Sequence, residues 1–218
     1  MVVSAWNEAD RIGDTLAALG DAFPGARVVV ADDASDDATP EVARAAGAEV
    51  VTAPRRTGKG GATTLAVRHV MNAGAAPLLV LCDGDLGGSA RQLPRLVAAI
   101  ERGDGDFAVA SFARRVGGGF GIALRFAQWA IRRRAGIEPQ APISGQRVLR
   151  PEVVQAVLPF AHGFGMETAM TIDATRAGFR LVEVELDLEH RATGKTLRGF
   201  IHRFRQLADF AAVYLDRR

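Results

Sequence analysis

One cysteine, Cys82, stands among the 218 residues, so no disulfide can form within the chain. It lies inside an apolar run, where it reads as a small core residue and fits a reducing compartment. Nowhere do apolar residues run on toward the ~20 needed to cross a bilayer. The opening apolar residues lead directly into Asn7 and Glu8, without the stretch a secretion signal requires. A cytoplasmic protein is expected, with the inner face of the membrane as one place for it to work. Charge of one sign is also lacking: 27 Lys and Arg face 25 Asp and Glu, a net of +2. That balance gives no reason to expect nucleic acid as a partner. Repeats, low-complexity tracts and linker-like stretches are missing as well. What remains is 48% hydrophobic and 24% charged, the composition of one globular domain, 1–218, with a substantial core.

The apolar pattern alternates between short buried runs and helical stretches. Strands are expected at residues 1–5, 27–31, 48–52, 78–82, 107–111, 143–149 and 179–188. Helices are expected at residues 7–19, from 39 to about 47, and at 62–73, 92–102, 122–134, 151–158 and 165–177. Thr39 and Pro40 open the second helix as N-cap and first helical residue. Arg132, Arg133 and Arg134 close the 122–134 helix, where cations are favourable. A final amphipathic helix, 197–215, carries Phe200, Phe204, Leu207, Ala211 and Tyr214 on one side. Strands alternating with helices predict an α/β fold: a mainly parallel, twisted, Rossmann-like sheet flanked by helices.

Ligands of such sheets bind beyond the carboxyl ends of the strands. The apolar run at 78–82 ends there in Asp83-Gly84-Asp85. Two carboxylates so close call for a cation, and hard oxygen ligands suit Mg2+ or Mn2+ with further ligands from substrate phosphates. Gly84 lets the backbone come close to a ligand. A strand-to-turn junction with solvated acids is the plainer alternative, and other motifs weigh against it.

Val3-Ser4-Ala5-Trp6-Asn7-Glu8, residues 30–39 (VADDASDDAT), Thr57-Gly58-Lys59-Gly60-Gly61-Ala62, the Asp83-Gly84-Asp85 motif and residues 163–184 stand in a familiar order. Together they resemble family 2 glycosyltransferases with the GT-A fold. They are similar in particular to polyprenyl-phosphate sugar transferases and to glucosyl-3-phosphoglycerate synthase-like enzymes, which glycosylate small phosphorylated acids. The resemblance implies a nucleotide-sugar-binding half, 1–115, and an acceptor-binding half, 116–218. It implies a metal-dependent enzyme moving a sugar from a nucleotide-diphosphate sugar, UDP- or GDP-linked, to a phosphorylated or lipid-linked acceptor.

Residue by residue, the resemblance places Ala5, Trp6 and Glu8 along the nucleoside, with Ser4 where a Pro is commoner. Helix N-terminal stabilisation competes for Glu8. Asp32 and Asp33 form the base-recognition pair, Asp33 preferred, while Asp36 and Asp37 serve the turn. Lys59 meets the diphosphate, in a glycine-rich loop whose backbone N–H groups are open to it. Asp85 is the direct metal ligand, Asp83 contacts ribose or metal-bound water, and His190 is the third candidate ligand. Glu167 is the candidate base, with Asp173 behind it; an already anionic phosphate acceptor leaves Glu167 only an orienting role.

Ser144-Gly145-Gln146-Arg147 resembles the acceptor-side segment, with Gly145 admitting sugar or acceptor and Arg147 alternatively a solvent-facing strand residue. Arg191 and Lys195, in a basic loop, suit the acceptor phosphate. The final helix, with Arg198, Arg203, Arg205, Arg217 and Arg218, packs on the domain or a second copy in a homodimer, or rests peripherally on an anionic membrane. Rival readings are a nucleotidyltransferase on a similar sheet and a non-catalytic nucleotide-sugar-binding module.

Overall fold

In the computed structural model, residues 1–74, 77–112, 121–188 and 214–216 are described. The chain alternates β1 (Val2–Ala5), α1 (Ile12–Ala22), β2 (Val29–Asp32), α2 (Thr39–Ala45), β3 (Glu49–Thr52), α3 (Lys59–Asn72) and β4 (Leu79–Asp83). A 3-10 turn (Gly87–Gln92) leads into α4 (Pro94–Glu101), β5 (Phe107–Phe112) and α5 (Gly121–Ala135). Then follow β6 (Arg147–Leu149), α6 (Pro151–Val157), a second 3-10 turn (Gly163–Gly165), α7 (Met166–Arg176) and β7 (Leu181–Leu186). The seven strands form one sheet in the order β3-β2-β1-β4-β6-β5-β7. All neighbours are parallel except β6, which runs against both β4 and β5.

Side chains alternate across a strand, so each apolar strand feeds two cores. Val2, Val29, Leu79, Leu81 and Phe107 face α3, α6 and α7 through Ala66, Val67, Val154 and Met170. Val3, Val30, Val80, Cys82 and Ala108 face α1 and α4 through Ile12, Leu16, Leu96 and Ile100. At about 1.5–3 kcal/mol per buried Val, Leu, Ile or Phe side chain, these two layers dominate the stability. Among the described residues no helix is long and apolar enough to cross a membrane.

Element boundaries move where the chain serves the strand ends. The first helix begins at Ile12 rather than at residue 7, because Asn7 takes φ 56°. That left-handed turn suits Asn, and residues 6–11 become a loop. Thr39 is not the N-cap of α2; Ala38 is. The Thr39 hydroxyl instead accepts the Glu8 N–H at 2.8 Å. Helix α3 starts at Lys59, not Ala62, so much of the expected glycine loop is helix. Gly60 is admitted there because the backbone of Ala161 occupies the space a side chain would take. Strand β6 has three residues rather than seven. The preceding stretch leaves the sheet, held by Glu183, which accepts the N–H groups of Gln140 and Ala141 at 2.8 and 2.7 Å. Most of the segment expected as a final helix, 197–215, lies outside the described residues. Its Tyr214 stacks under Arg134, 3.8 Å from the ring centre.

Candidate active site

The strand order reverses beside β1: β2 and β3 lie to one side, β4 to the other. Such a switch point opens a crevice beyond the strand ends, and Ser4 pairs in register with Asp83 across it. The Asp83 carboxylate is fixed from two sides. Ser4 Oγ lies 3.1 Å from Oδ1, and Gln146 Nε2 donates to Oδ2 at 2.8 Å. The Gly84 N–H donates to Ser4 O at 2.9 Å. A side chain on Gly84 would meet Ile12 Cδ1 at 2.9 Å, so the glycine lets the turn lie against α1. Thr15, fully buried, stitches that turn together: its hydroxyl donates to Gly84 O and accepts the Gly87 N–H, both at 2.8 Å. Asp85 follows, half-buried, its carbonyl 3.4 Å from Arg11 Nη1.

Lys59 joins this turn to the far half of the chain. Its ammonium lies 2.5 Å from Asp83 Oδ1 and 2.7 Å from Glu167 Oε1. A lysine in the first turn of a helix is disfavoured by the helix dipole, so local helix energetics do not account for it; the two carboxylates do. Burial works against the charged amine, but Asp83 and Glu167 outweigh it and hold its pKa above the ordinary lysine value. Glu167, in the first turn of α7, is buried. Gly145 lies against this pair: a methyl group there would come within 2.6 Å of Asp83 Oδ2 and closer still to Lys59 Nζ. The glycine expected to admit sugar or acceptor therefore makes room for Lys59 and Asp83.

Beyond β2 the two neighbouring acids make different contacts. Asp33 accepts the Thr57 and Gly58 N–H groups at 2.6 and 2.9 Å, and the Thr57 hydroxyl lies 3.1 Å away. Those N–H groups are thus occupied by Asp33, not open to a diphosphate, and both Asp33 oxygens are engaged. Asp32, fully buried, accepts the Ser35 N–H at 3.3 Å through Oδ1, while its Oδ2 has no hydrogen-bond partner among the described residues. The Ala5–Glu8 loop is tied to the same region. Asn7 donates its N–H to Ser35 Oγ and accepts the Asp36 N–H through Oδ1, at 2.9 and 2.8 Å. Trp6 is 39% exposed, with the Arg56 guanidinium 3.4 Å from its ring centre, well inside cation–π range. Asp37 does serve the turn, accepting from Thr39 and Ala9.

Arg147 corrects the expectation of a solvent-facing strand residue: it is 0% exposed. His190, Arg191 and Lys195 lie outside the described residues, as does the rest of their basic loop. Asp173 sits half-buried further along α7. The supporting roles of Ser4, Thr15, Arg56, Thr57 and Gln146 were not read from sequence. Small polar and basic residues beside acidic turns are too common to single out; only Ser4, where a Pro is commoner, stood apart. Cys82 is buried in the sheet, and that burial pushes its thiol pKa up to about 12, which keeps it a thiol rather than a thiolate.

Acids at the end of β4 beside a switch point, with Lys59 joining Asp83 to Glu167, mark an α/β fold whose ligand site is expected beyond its strand ends. The glycosyl transferase family 2 profile matches residues 1–155. An undecaprenyl-phosphate mannosyltransferase of Micrococcus luteus is 30% identical over 211 residues, 89% of this chain and 85% of that protein. Glucosyl-3-phosphoglycerate synthase of Mycobacterium tuberculosis, solved with Mn2+, UDP-glucose and phosphoglyceric acid, superposes with a TM-score of 0.77 at 25% identity. The match covers 98% of this chain and 78% of that one. The same enzyme with Mn2+, UDP-glucose and glycerol 3-phosphate gives 0.75 at 26% identity, over 97% and 78%. The chain belongs to glycosyltransferase family 2 and is a nucleotide-sugar-dependent glycosyltransferase of GT-A fold. That assignment favours glycosyl transfer over the nucleotidyltransferase reading.

Proposed function

We propose that this enzyme transfers a sugar from a UDP- or GDP-linked donor to a phosphorylated acceptor, in a site shared by a donor half, 1–115, and an acceptor half, 116–218. The observation that carries the reading is the Lys59 ammonium bridging Asp83 and Glu167, which brings one acid from each half onto one cation. The mannosyltransferase relative is named for a polyprenyl phosphate and the structural neighbours hold phosphorylated acids, which supports a phosphorylated acceptor.

The acceptor oxygen attacks the anomeric carbon. The bond from that carbon to the diphosphate breaks, and the nucleoside diphosphate leaves with the electron pair. Ala5, Trp6 and Glu8 flank the nucleoside, and the Asp32–Asp33 pair faces the base. Asp32 Oδ2 is the acceptor still unused there, whereas Asp33 braces the turn that leads into Lys59. Lys59 offers its ammonium to the diphosphate, and Gly84 keeps the turn close to it. With an already anionic acceptor Glu167 only orients the site, through its hold on Lys59; with a hydroxyl acceptor it accepts the proton.

A divalent cation fits the donor set. Asp83 already pairs with one cation, the Lys59 ammonium. No group of three metal-binding side chains exists among the described residues, but Mg2+ and Mn2+ sites commonly take one or two carboxylates and fill the rest with phosphate and water. Asp85 and Asp83, with His190 as third ligand, would hold it, and it would supply charge neutralisation of the leaving diphosphate.

Arg191 and Lys195 bind the acceptor phosphate on this reading. Replacing both with alanine is expected to raise the acceptor KM or cut turnover while the donor KM holds. Unchanged acceptor KM and turnover would overturn the assignment. A polyprenyl phosphate would also bring the 197–215 segment to the inner face of the membrane, tested by cosedimentation with anionic liposomes at low salt.

A further inference from the structure

Among the described residues Arg147 is the bulkiest fully buried side chain, yet no carboxylate there pairs with it directly. Its guanidinium instead joins two segments. Nε donates to Ser144 O at 2.8 Å and Nη2 to Pro142 O at 3.3 Å, on the stretch before β6. Nη1 donates to Thr171 Oγ1 at 2.9 Å, on α7. The Thr171 hydroxyl passes the connection on, donating to Glu167 O at 3.0 Å. Burial lowers the Arg147 pKa to about 10, with Glu167 and Glu183 opposing that fall from a distance, so the side chain remains a cation at neutral pH.

Burying a cation without a direct partner is costly, and an apolar side chain would fill the space. What an apolar group lacks is the rigid fork of donors, which fixes acceptors in one plane and which lysine does not reproduce. Both segments that the fork joins carry groups of the site. Gln146, the residue before Arg147, holds Asp83, and Gly145 lies against Lys59. Glu167, one turn before Thr171, holds Lys59 from the other side.

We propose that Arg147 is a positioning residue: its guanidinium sets the spacing between the 142–146 stretch and α7, and thereby holds Gln146 on Asp83 and Glu167 on Lys59. Its functional meaning rests on the transferase reading above, whereas its geometry does not.

The chain has two lysines, Lys59 and Lys195, so acylation of Lys59 can be read by peptide mass spectrometry against Lys195 as internal reference. Arg147→Gln removes the fork without adding an amine. Thr171→Val keeps the shape and removes one acceptor, and it decides the matter if Arg147→Gln does not fold. In folded variants Lys59 is expected to be acylated about tenfold faster relative to Lys195, the effect of releasing one hydrogen bond to a charged group. A variant that melts earlier but keeps the wild-type ratio would show a merely structural role and overturn the proposal. The ratio needs no donor, so a wild-type protein that bound no nucleotide sugar would count against the transferase reading and leave this result standing.

Discussion

Adding one methyl group at Gly145 tests the packing of the site with little else disturbed. Gly145 does not occupy the left-handed region that favours glycine, so its backbone accepts alanine. The obstacle is what the methyl meets: Asp83 Oδ2 at 2.6 Å and, closer, Lys59 Nζ. Asp83 cannot retreat without breaking the 2.8 Å bond from Gln146, and Lys59 cannot without leaving Glu167 at 2.7 Å. Overpacking of this kind costs about 1–3 kcal/mol, which corresponds to about five- to 150-fold in an equilibrium or rate constant. The Lys59 end can swing outward, so the loss should fall on the site more than on the fold. Gly145→Ala is expected to bind donor in calorimetry with Mn2+, and to turn over, at least about fivefold less well, while melting close to wild type. Wild-type affinity and turnover in Gly145→Ala would refute the claim that Lys59 and Asp83 must sit together here.

Two further predictions concern the supports. Thr15→Val keeps the shape but strands the Gly84 carbonyl and the Gly87 N–H; a loss of about 1–3 kcal/mol in denaturant unfolding is expected, and an unchanged midpoint would show that Thr15 does not hold the turn. Asp37 is exposed and accepts from Thr39 and Ala9. Burial works against its ionisation, but these hydrogen bonds outweigh it and lower its pKa below the ordinary 3.8. A depressed carboxylate stabilises the fold above its unfolded-state pKa and loses that contribution as pH falls through the folded-state value. Asp37→Asn should therefore melt below wild type at pH 7, with the gap closing as the solution is taken below pH 3.8; a gap independent of pH would contradict this.

Much of the site was readable in the sequence because strand ends advertise themselves. Apolar runs stopping at Asp32-Asp33 and Asp83-Gly84-Asp85 give both the strands and the acids beyond them. What stayed hidden depends on contacts far apart in the chain. Gln146 reaches Asp83 across 63 residues, and no local pattern announces it. Gly145 reads as room for a ligand until the neighbours filling that room are known. An arginine in a strand reads as solvent-facing, and only the acceptors on Pro142, Ser144 and Thr171 make its burial tolerable. Helix starts failed for a related reason. Asn7, Gly58 and Gly60 take their places from what packs against residues 6–11 and 57–61, namely the Ser35–Thr39 turn and the backbone near Ala161, and propensity does not record those neighbours.

Calorimetric titration of UDP- and GDP-sugars, with and without Mn2+, into the wild-type protein and Asp85→Ala addresses the central claim most directly. The account predicts that one donor binds in a metal-dependent way and that Asp85→Ala abolishes this binding while remaining folded. Binding of no donor in the presence of metal, or equal binding by Asp85→Ala, would contradict it.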